Sequence, residues 1–306
     1  GGKALNPATT ASKQINTRNI IQFVIVHGEV TRPQIASSLN LSIATVTNIV
    51  TELIGRNILA EGRKDNSPVG RKATFLRFNH KYSNIIAVII TSPDIVQMSL
   101  CDLSGEVILQ SSVKCALKVN DTTDEVTIFE DICSMIVGFI HNLNHEIRKN
   151  ILAVEISLPG IVRNNTTAYV PFLNWKSMPL GNYLQKALEY PVFIENVTRI
   201  KAIYEMRYID PDKKNVLYLA LSPGIGLVNF FNGKMIMGKL GINGEVGHMT
   251  MNVHGPKCYC GNHGCFEIYC GENYLLQKAA KLIHGSHPCE ILCDLVKTKK
   301  RPLSIE

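Results

Sequence analysis

The sequence has no uninterrupted apolar run of about 18 residues, the length a bilayer-spanning helix requires, so no membrane span is expected. Residues 1–16 carry Lys3 and Lys13 with no apolar core behind them, which gives no sign of a secretory signal. Internal repeats and low-complexity stretches are absent, which argues against a solenoid or a linker-dominated chain. A disulfide framework is also missing. Three of the nine cysteines, Cys258, Cys260 and Cys265, crowd together with the spacing of metal ligands instead of being spread as bridging pairs. These absences together predict a cytoplasmic protein. What is present is ample apolar content, 45% of 306 residues, enough to bury two or three separate cores.

Charge is distributed unevenly. The first 80 residues hold ten Lys or Arg against four acids, so nearly all of the chain's net charge of +7 lies there. A basic head on an almost neutral body points to a polyanionic partner, because neutralised phosphates release counterions. A solvated basic face is the alternative that charge alone leaves open.

The head has a recognisable order. Asn19 to His27 reads as a short helix ended by Gly28 in the position a C-cap prefers. Thr31 with Gln34 three residues later has the form of a capping box, and Pro33 sits in the first turn of the second helix. Ser42 caps a third helix, in which Val46, Ile49, Val50 and Leu53 repeat at i, i+3, i+4 and i+7 as one apolar face. The other face shows Ala44, Thr45, Thr47, Asn48 and Thr51, small or polar groups that suit close approach to base edges and phosphates. Ile58 to Glu61 and Ala73 to Phe78 then form a hairpin whose tip carries Arg63, Lys64, Arg71 and Lys72. Helix, helix, turn, helix and basic hairpin is the order of a winged helix-turn-helix. The expected tail is flexible over 1–16, and the expected DNA-binding domain covers 17–80. Its DNA contacts are expected at Arg32, Ser42, Ala44, Thr45, Thr47, Asn48, Arg63, Lys64, Arg71 and Lys72. A three-helix domain used for protein contacts is the weaker reading.

The body alternates. Strands over Ser83–Ser92, Val96–Asp102 and Val107–Gln110 precede a helix near Asp124–Asn144 and a strand at Ile151–Ser157. A helix at Tyr183–Glu189, a strand at Val192–Glu195, a helix at Thr198–Arg207 and a strand at Val216–Leu221 follow, which predicts an α/β layered fold. Asn232-Gly233 marks a hairpin. The sharpest chemical signal is Cys258-x-Cys260 with Cys265 five residues on. Three thiolates and one imidazole complete a closed tetrahedral zinc shell, and His248, His254 and His263 all lie within reach.

The chain resembles the ROK family (repressors, open reading frames and kinases), and within it the regulator branch of xylose, N-acetylglucosamine and Mlc-type repressors. The stretches that carry the resemblance are Ser42 to Asn48, Gly70-Arg71-Lys72-Ala73, Leu158-Pro159-Gly160-Ile161-Val162, Asn174-Trp175, Pro191 to Asn196, Gly244-Glu245-Val246-Gly247-His248-Met249 and Cys258 through Glu267. The resemblance implies an actin-like or RNase H-like body of two α/β lobes with a sugar cleft between them, over 81–195 and 196–306. It selects His248 as the fourth ligand beside Cys258, Cys260 and Cys265, with Zn2+ in a structural role. It also implies that Gly160, Asn196, Glu245, His248 and Glu267 hold the hydroxyls of a sugar or sugar phosphate. The family continues further beyond the zinc segment, so the second lobe is expected to be incomplete here.

The chain departs from the kinase pattern in three places. Kinases of the family have Asn-Asp where this chain has Asn196-Val197, and the missing Asp is the base that takes the sugar hydroxyl's proton. Ile89 to Pro93 replaces an Asp followed by Gly-Gly-Thr. Pro223 removes a backbone donor from the second phosphate loop. The expectation is therefore a regulator without catalytic residues, acting on double-stranded operator DNA as a homodimer or dimer of dimers, with an ATP-dependent sugar kinase as the alternative.

Overall fold

The computed structural model describes residues 7–64, 73–92, 95–114, 125–173, 175–210, 212–221, 224–272 and 274–275. The chain divides into two compact units. One comprises 1–86, 99–110 and 144–152, and the other 87–98, 111–143 and 153–306.

The first unit opens with α1 (Pro7–His27), the two-residue strand β1 (Val30–Thr31), α2 (Arg32–Ser38), α3 (Ile43–Gly55), β2 (Leu59–Lys64) and β3 (Thr74–Phe78). Helix α1 begins twelve residues before the expected start at Asn19, so the flexible tail expected over 1–16 is helical from Pro7. Its first half has no apolar stripe to announce it, and residues 11–15 are exposed. Good helix formers such as Ala11, Lys13 and Gln14 and an ion pair from Lys13 Nζ to Glu52 of α3, at 2.6 Å, accompany this extra length.

Punctuation in this unit follows the sequence closely. Gly28 ends α1 at φ 73° and donates to Val24 O at 2.9 Å. Gln34 Oε1 accepts from the Thr31 backbone N–H at 2.8 Å, and Ser42 Oγ accepts from Thr45 N at 3.1 Å. The apolar face Val46, Ile49, Val50 and Leu53 is buried. It packs with Ile20, Val24, Ile35, Leu59 and Leu76 in one core. Each of these side chains is worth about 1.5–3 kcal/mol of apolar transfer on burial. Strand β3 is central in the order β1-β3-β2, with Leu76 opposite both Val30 and Glu61.

Next come β4 (Asn84–Ser92), β5 (Ile95–Asp102), β6 (Val107–Lys114), α4 (Glu125–His141), α5 (His145–Lys149), β7 (Ile151–Leu158), β8 (Ile161–Arg163), β9 (Thr166–Val170), β10 (Trp175–Met178), α6 (Leu180–Leu188), β11 (Val192–Asn196) and α7 (Val197–Glu205). A five-stranded sheet has the order β11-β7-β4-β5-β6, with β11 parallel to β7 and Asn196 opposite Leu158. A small antiparallel sheet, β10-β9-β8, lies outside the sequence expectations. Buried Trp175 sits there, edge-on to Phe129 of α4. The last elements are β12 (Val216–Leu221), β13 (Ile225–Phe231), β14 (Lys234–Met235) and α8 (Phe266–Cys270). Strands β12 to β14 form the third small antiparallel sheet, its hairpin turning at Asn232-Gly233 as the dipeptide predicts. Among the described residues no helix is long and apolar enough to cross a membrane.

Candidate functional sites

In the second unit, the parallel strands β7 and β11 end side by side, where open α/β sheets commonly place a ligand. After β7 the chain turns at Gly160 with φ 126°, where a Cβ would lie 2.6 Å from Tyr169 O, so only glycine fits. After β11, Asn196 caps α7. Its Oδ1 accepts from Thr198 N at 2.8 Å and Arg199 N at 3.3 Å, and its Nδ2 donates to Gly160 O at 2.8 Å. Much of the Asn196 amide is thus engaged in holding the two strand ends together.

Glu267, buried on α8, accepts from Ile225 N at 2.8 Å through Oε2. The same oxygen lies 3.0 Å from where a Cβ on Gly247 would stand, so Gly247 admits the close approach of Glu245-Val246-Gly247-His248 to α8. Gly244, at φ 97°, meets Leu227 O closely enough to forbid any side chain. Burial raises the Glu245 carboxyl pKa; His248 and Arg199 pull it down and Glu267 adds to the rise. Arg199 is itself buried and paired to Glu195 at 3.0 Å, and it donates to Gly241 O. Gly160 and Asn196 are therefore directly bonded, and Glu245, His248 and Glu267 share one electrostatic environment.

The cysteine segment folds back on His248. Ligand atoms of His248, Cys258, Cys260 and Cys265 all lie within 4.8 Å of one another. His248 Nδ1 is 3.7 Å from Cys258 Sγ, and Cys260 Sγ is 3.7 Å from Cys265 Sγ. A disulfide needs about 2.05 Å, whereas a tetrahedral shell with metal–sulfur bonds of about 2.3 Å has edges of about 3.8 Å. The four side chains therefore fit a metal ion, and Nδ1 of His248 is the nitrogen that faces the thiols. Burial raises Cys258 and pushes Cys265 up to about 12; a dication at the centre stabilises the thiolates against that cost. Among the described residues His254 and His263 are outside this group. Sequence reasoning missed Tyr259, whose hydroxyl is 3.5 Å from the other nitrogen of His248.

In the first unit, Ala44, Thr47 and Asn48 are exposed on α3 and Thr45 is half-buried. The Ser42 and Thr45 hydroxyls are 2.8 Å apart and engage each other. Arg32 pairs with Glu61 at 3.1 Å, and Arg63 pairs with Glu29 at 2.9 Å while its guanidinium lies 4.8 Å over the Phe75 ring. Neither acid was singled out from the sequence. Lys64 is exposed at the end of β2. Arg71 and Lys72 lie outside the described residues. A groove of about 640 Å³ lies between α1 and α3, lined by Lys13, Thr17, Arg18, Ile21, Glu52 and Arg56 among others, and contains none of the residues expected to hold a sugar.

Residues 94–300 match the ROK family. The chain belongs to that family. A xylose repressor of Bacillus spizizenii is 29% identical over 270 residues, covering 88% of this chain and 68% of the relative. The crystal structure of a ROK family transcriptional regulator, a homologue of the E. coli MLC protein, superposes with a TM-score of 0.74 at 24% identity, over 96% of this chain and 72% of that one. A ROK family glucokinase from Streptomyces griseus, solved with glucose and AMPPNP, gives 0.56 at 22% identity over 70% and 65%. The ROK α/β fold thus extends from regulators to kinases, and fold alone does not choose between them.

Proposed function

We propose that this ROK protein is a sugar-responsive DNA-binding transcriptional regulator, a repressor, that holds a carbohydrate or sugar phosphate in a kinase-like cleft without phosphorylating it. Residues 17–80 serve as a winged helix-turn-helix domain in this reading, and 81–195 and 196–306 as the two lobes. The observation that carries it is the build of α3, with a buried apolar face and an exposed face of Ala44, Thr47 and Asn48. That is a helix made to be anchored on one side and to meet base edges on the other. The xylose repressor relative supports it.

In the cleft, Glu245 and Glu267 accept from sugar hydroxyls, His248 and Asn196 donate, and the Gly160 turn brings backbone close to the ring. At the head of α7 stands Val197, which has no group to take a proton from a sugar hydroxyl. A zinc ion held by His248, Cys258, Cys260 and Cys265 in a closed shell supplies rigidity rather than an activated water. His248 then both anchors the cysteine loop and presents its Nε2 edge to ligand. Two copies read the half-sites of a pseudo-palindromic operator, and the ligand acts by binding the DNA-competent and incompetent states unequally. The compartment that fits is the cytoplasm.

The test is selection of bound genomic DNA fragments with and without a panel of pentoses, hexoses and their phosphates. Sequence-specific capture that one ligand alters supports the reading, and indifference to duplex DNA at low ionic strength overturns it. The kinase alternative draws on the likeness to the glucokinase fold. Coupled ADP release at an ordinary enzymatic rate, abolished by Glu245→Ala, would establish it instead.

A further inference from the structure

Two carboxylates stand against two of the cations proposed to meet DNA, Arg32 and Arg63, and both are placed by the register of the small sheet of the first unit. Strand β3 lies between β1 and β2, and Leu76 faces Val30 on one side and Glu61 on the other. Glu29 and Arg32 bracket the two residues of β1, while Glu61 and Arg63 lie on β2. The ion pairs are crossed over the central strand, Glu29 to Arg63 at 2.9 Å and Arg32 to Glu61 at 3.1 Å. Arg63 is held from a second side by the Phe75 ring, and Phe75 is opposite Thr31 in the register. Gly62 leaves room for the contact, since a Cβ there would lie 3.3 Å from Glu29 Oε1.

Fold stability does not account for this arrangement. The acids are 41% and 52% exposed, and exposed pairs contribute little to folding. Their larger consequence concerns a competing anion. A guanidinium in contact with a carboxylate meets a DNA phosphate only by exchanging one anion for the other, so each acid subtracts from the sequence-independent attraction of the basic head.

We infer that Glu29 and Glu61 are positioning and specificity-determining residues. They hold Arg63 and Arg32 away from the phosphates of arbitrary duplex and release them only where the rest of the surface fits. The inference rests on the DNA-binding reading and deepens it, because it assigns acids, not only bases, to the interface.

The experiment measures binding of the full chain to a fluorescein-labelled duplex of mixed sequence across a series of salt concentrations. It compares the wild type with Glu29→Gln, Glu61→Gln and both together, and repeats Glu29→Gln in an Arg63→Gln background and Glu61→Gln in an Arg32→Gln background. Each single Gln variant is expected to bind roughly two- to fivefold tighter, the size an exposed pair implies. The slope of log K against log salt should steepen by up to about 0.9 for each arginine released. Both effects should vanish when the partner arginine is absent. A merely structural role would move the melting temperature and leave the salt slope alone. Unchanged affinity and slope, or an effect that persists without the partner arginine, overturns the inference while leaving the DNA-binding reading intact. Failure of the wild type to bind the duplex at low salt overturns both.

Discussion

The two units handle polar groups in opposite ways. In the first, the ion pairs Lys13–Glu52, Arg32–Glu61 and Arg63–Glu29 have acids open to solvent, while Asp102, buried and bonded to Ser104 and Glu106, is an exception. In the second, Asn196, Arg199 and Glu267 are buried and each is fixed by hydrogen bonds to backbone atoms. Exposed charge is exchangeable and suits a long polyanion met through many weak contacts. Buried polar groups with their partners already in place lose little freedom on binding and suit a small ligand with many hydroxyls. The difference predicts that substitutions of these buried polar groups in the second unit cost folding energy, whereas those of the exposed charges in the first change affinity and leave folding almost untouched.

The largest expected effect is at the proposed metal site. Cys260→Ser would remove one of the four proposed ligands, and structural zinc in small domains carries on the order of 10 kcal/mol of apparent binding energy. The variant is expected to purify without metal and to melt far below the wild type. Full metal retention by elemental mass spectrometry would sink the assignment. Glu267→Ala comes next. It strands the buried Ile225 N–H, a loss of about 1–3 kcal/mol, whereas Glu267→Gln keeps an acceptor and should recover much of it. Equal melting of the two variants would show that the Ile225 bond contributes nothing.

The pH dependence of the second unit sharpens the comparison further. Glu155 on β7 has a buried Oε1 without a hydrogen-bond partner, and burial, with the Glu195 charge beside it, pushes its pKa up to about 7 from 4.5. The folded state binds this proton more tightly than the unfolded chain does. Its contribution is therefore complete below the unfolded value of 4.5 and is lost as the pH rises toward about 7. Glu155→Gln keeps the neutral form at every pH and should stabilise the protein by about 1–2 kcal/mol at pH 8, with little gain near pH 4. A gain of the same size at both pH values would exclude titration as its cause.

What the sequence reveals and conceals follows the same physics. Helix α3 is legible because its four apolar residues repeat at helical spacing over a capping serine, and the metal ligands because Cys-x-Cys is a local pattern. Strands β8 to β10 are not legible. They are three to five residues long, and Ile161–Arg163 and Thr166–Val170 mix polar and apolar positions without clean alternation. The first half of α1 has no apolar stripe, and its attachment to Glu52 depends on a residue 39 positions away. Among the site residues, chemical type was readable but commitment was not. Asn196 looks like a ligand donor in the sequence, while much of its amide is used at the head of α7 and at Gly160. Glu29 and Glu61 gain their partners only through the register of β3, which no local pattern announces.

The smallest expected effects lie in the first unit, and they separate two kinds of contact within it. Lys64 is exposed where β2 ends; if it meets phosphate as proposed, Lys64→Ala should weaken binding to every duplex alike and lower the salt slope by about 0.9. Asn48 is exposed on α3 nearly two turns past the Ser42 cap, and in the proposed reading its amide meets base edges. Asn48→Ala should leave the salt slope in place and alter which sequences are retained, at about 1–3 kcal/mol for the base it reads. Neither change should move the melting temperature appreciably, because neither side chain belongs to the core around Leu76. If Asn48→Ala lowered the salt slope as Lys64→Ala does and left sequence preference alone, α3 would lie along the backbone and not in the groove, and the reading element would have to be sought elsewhere in the first unit.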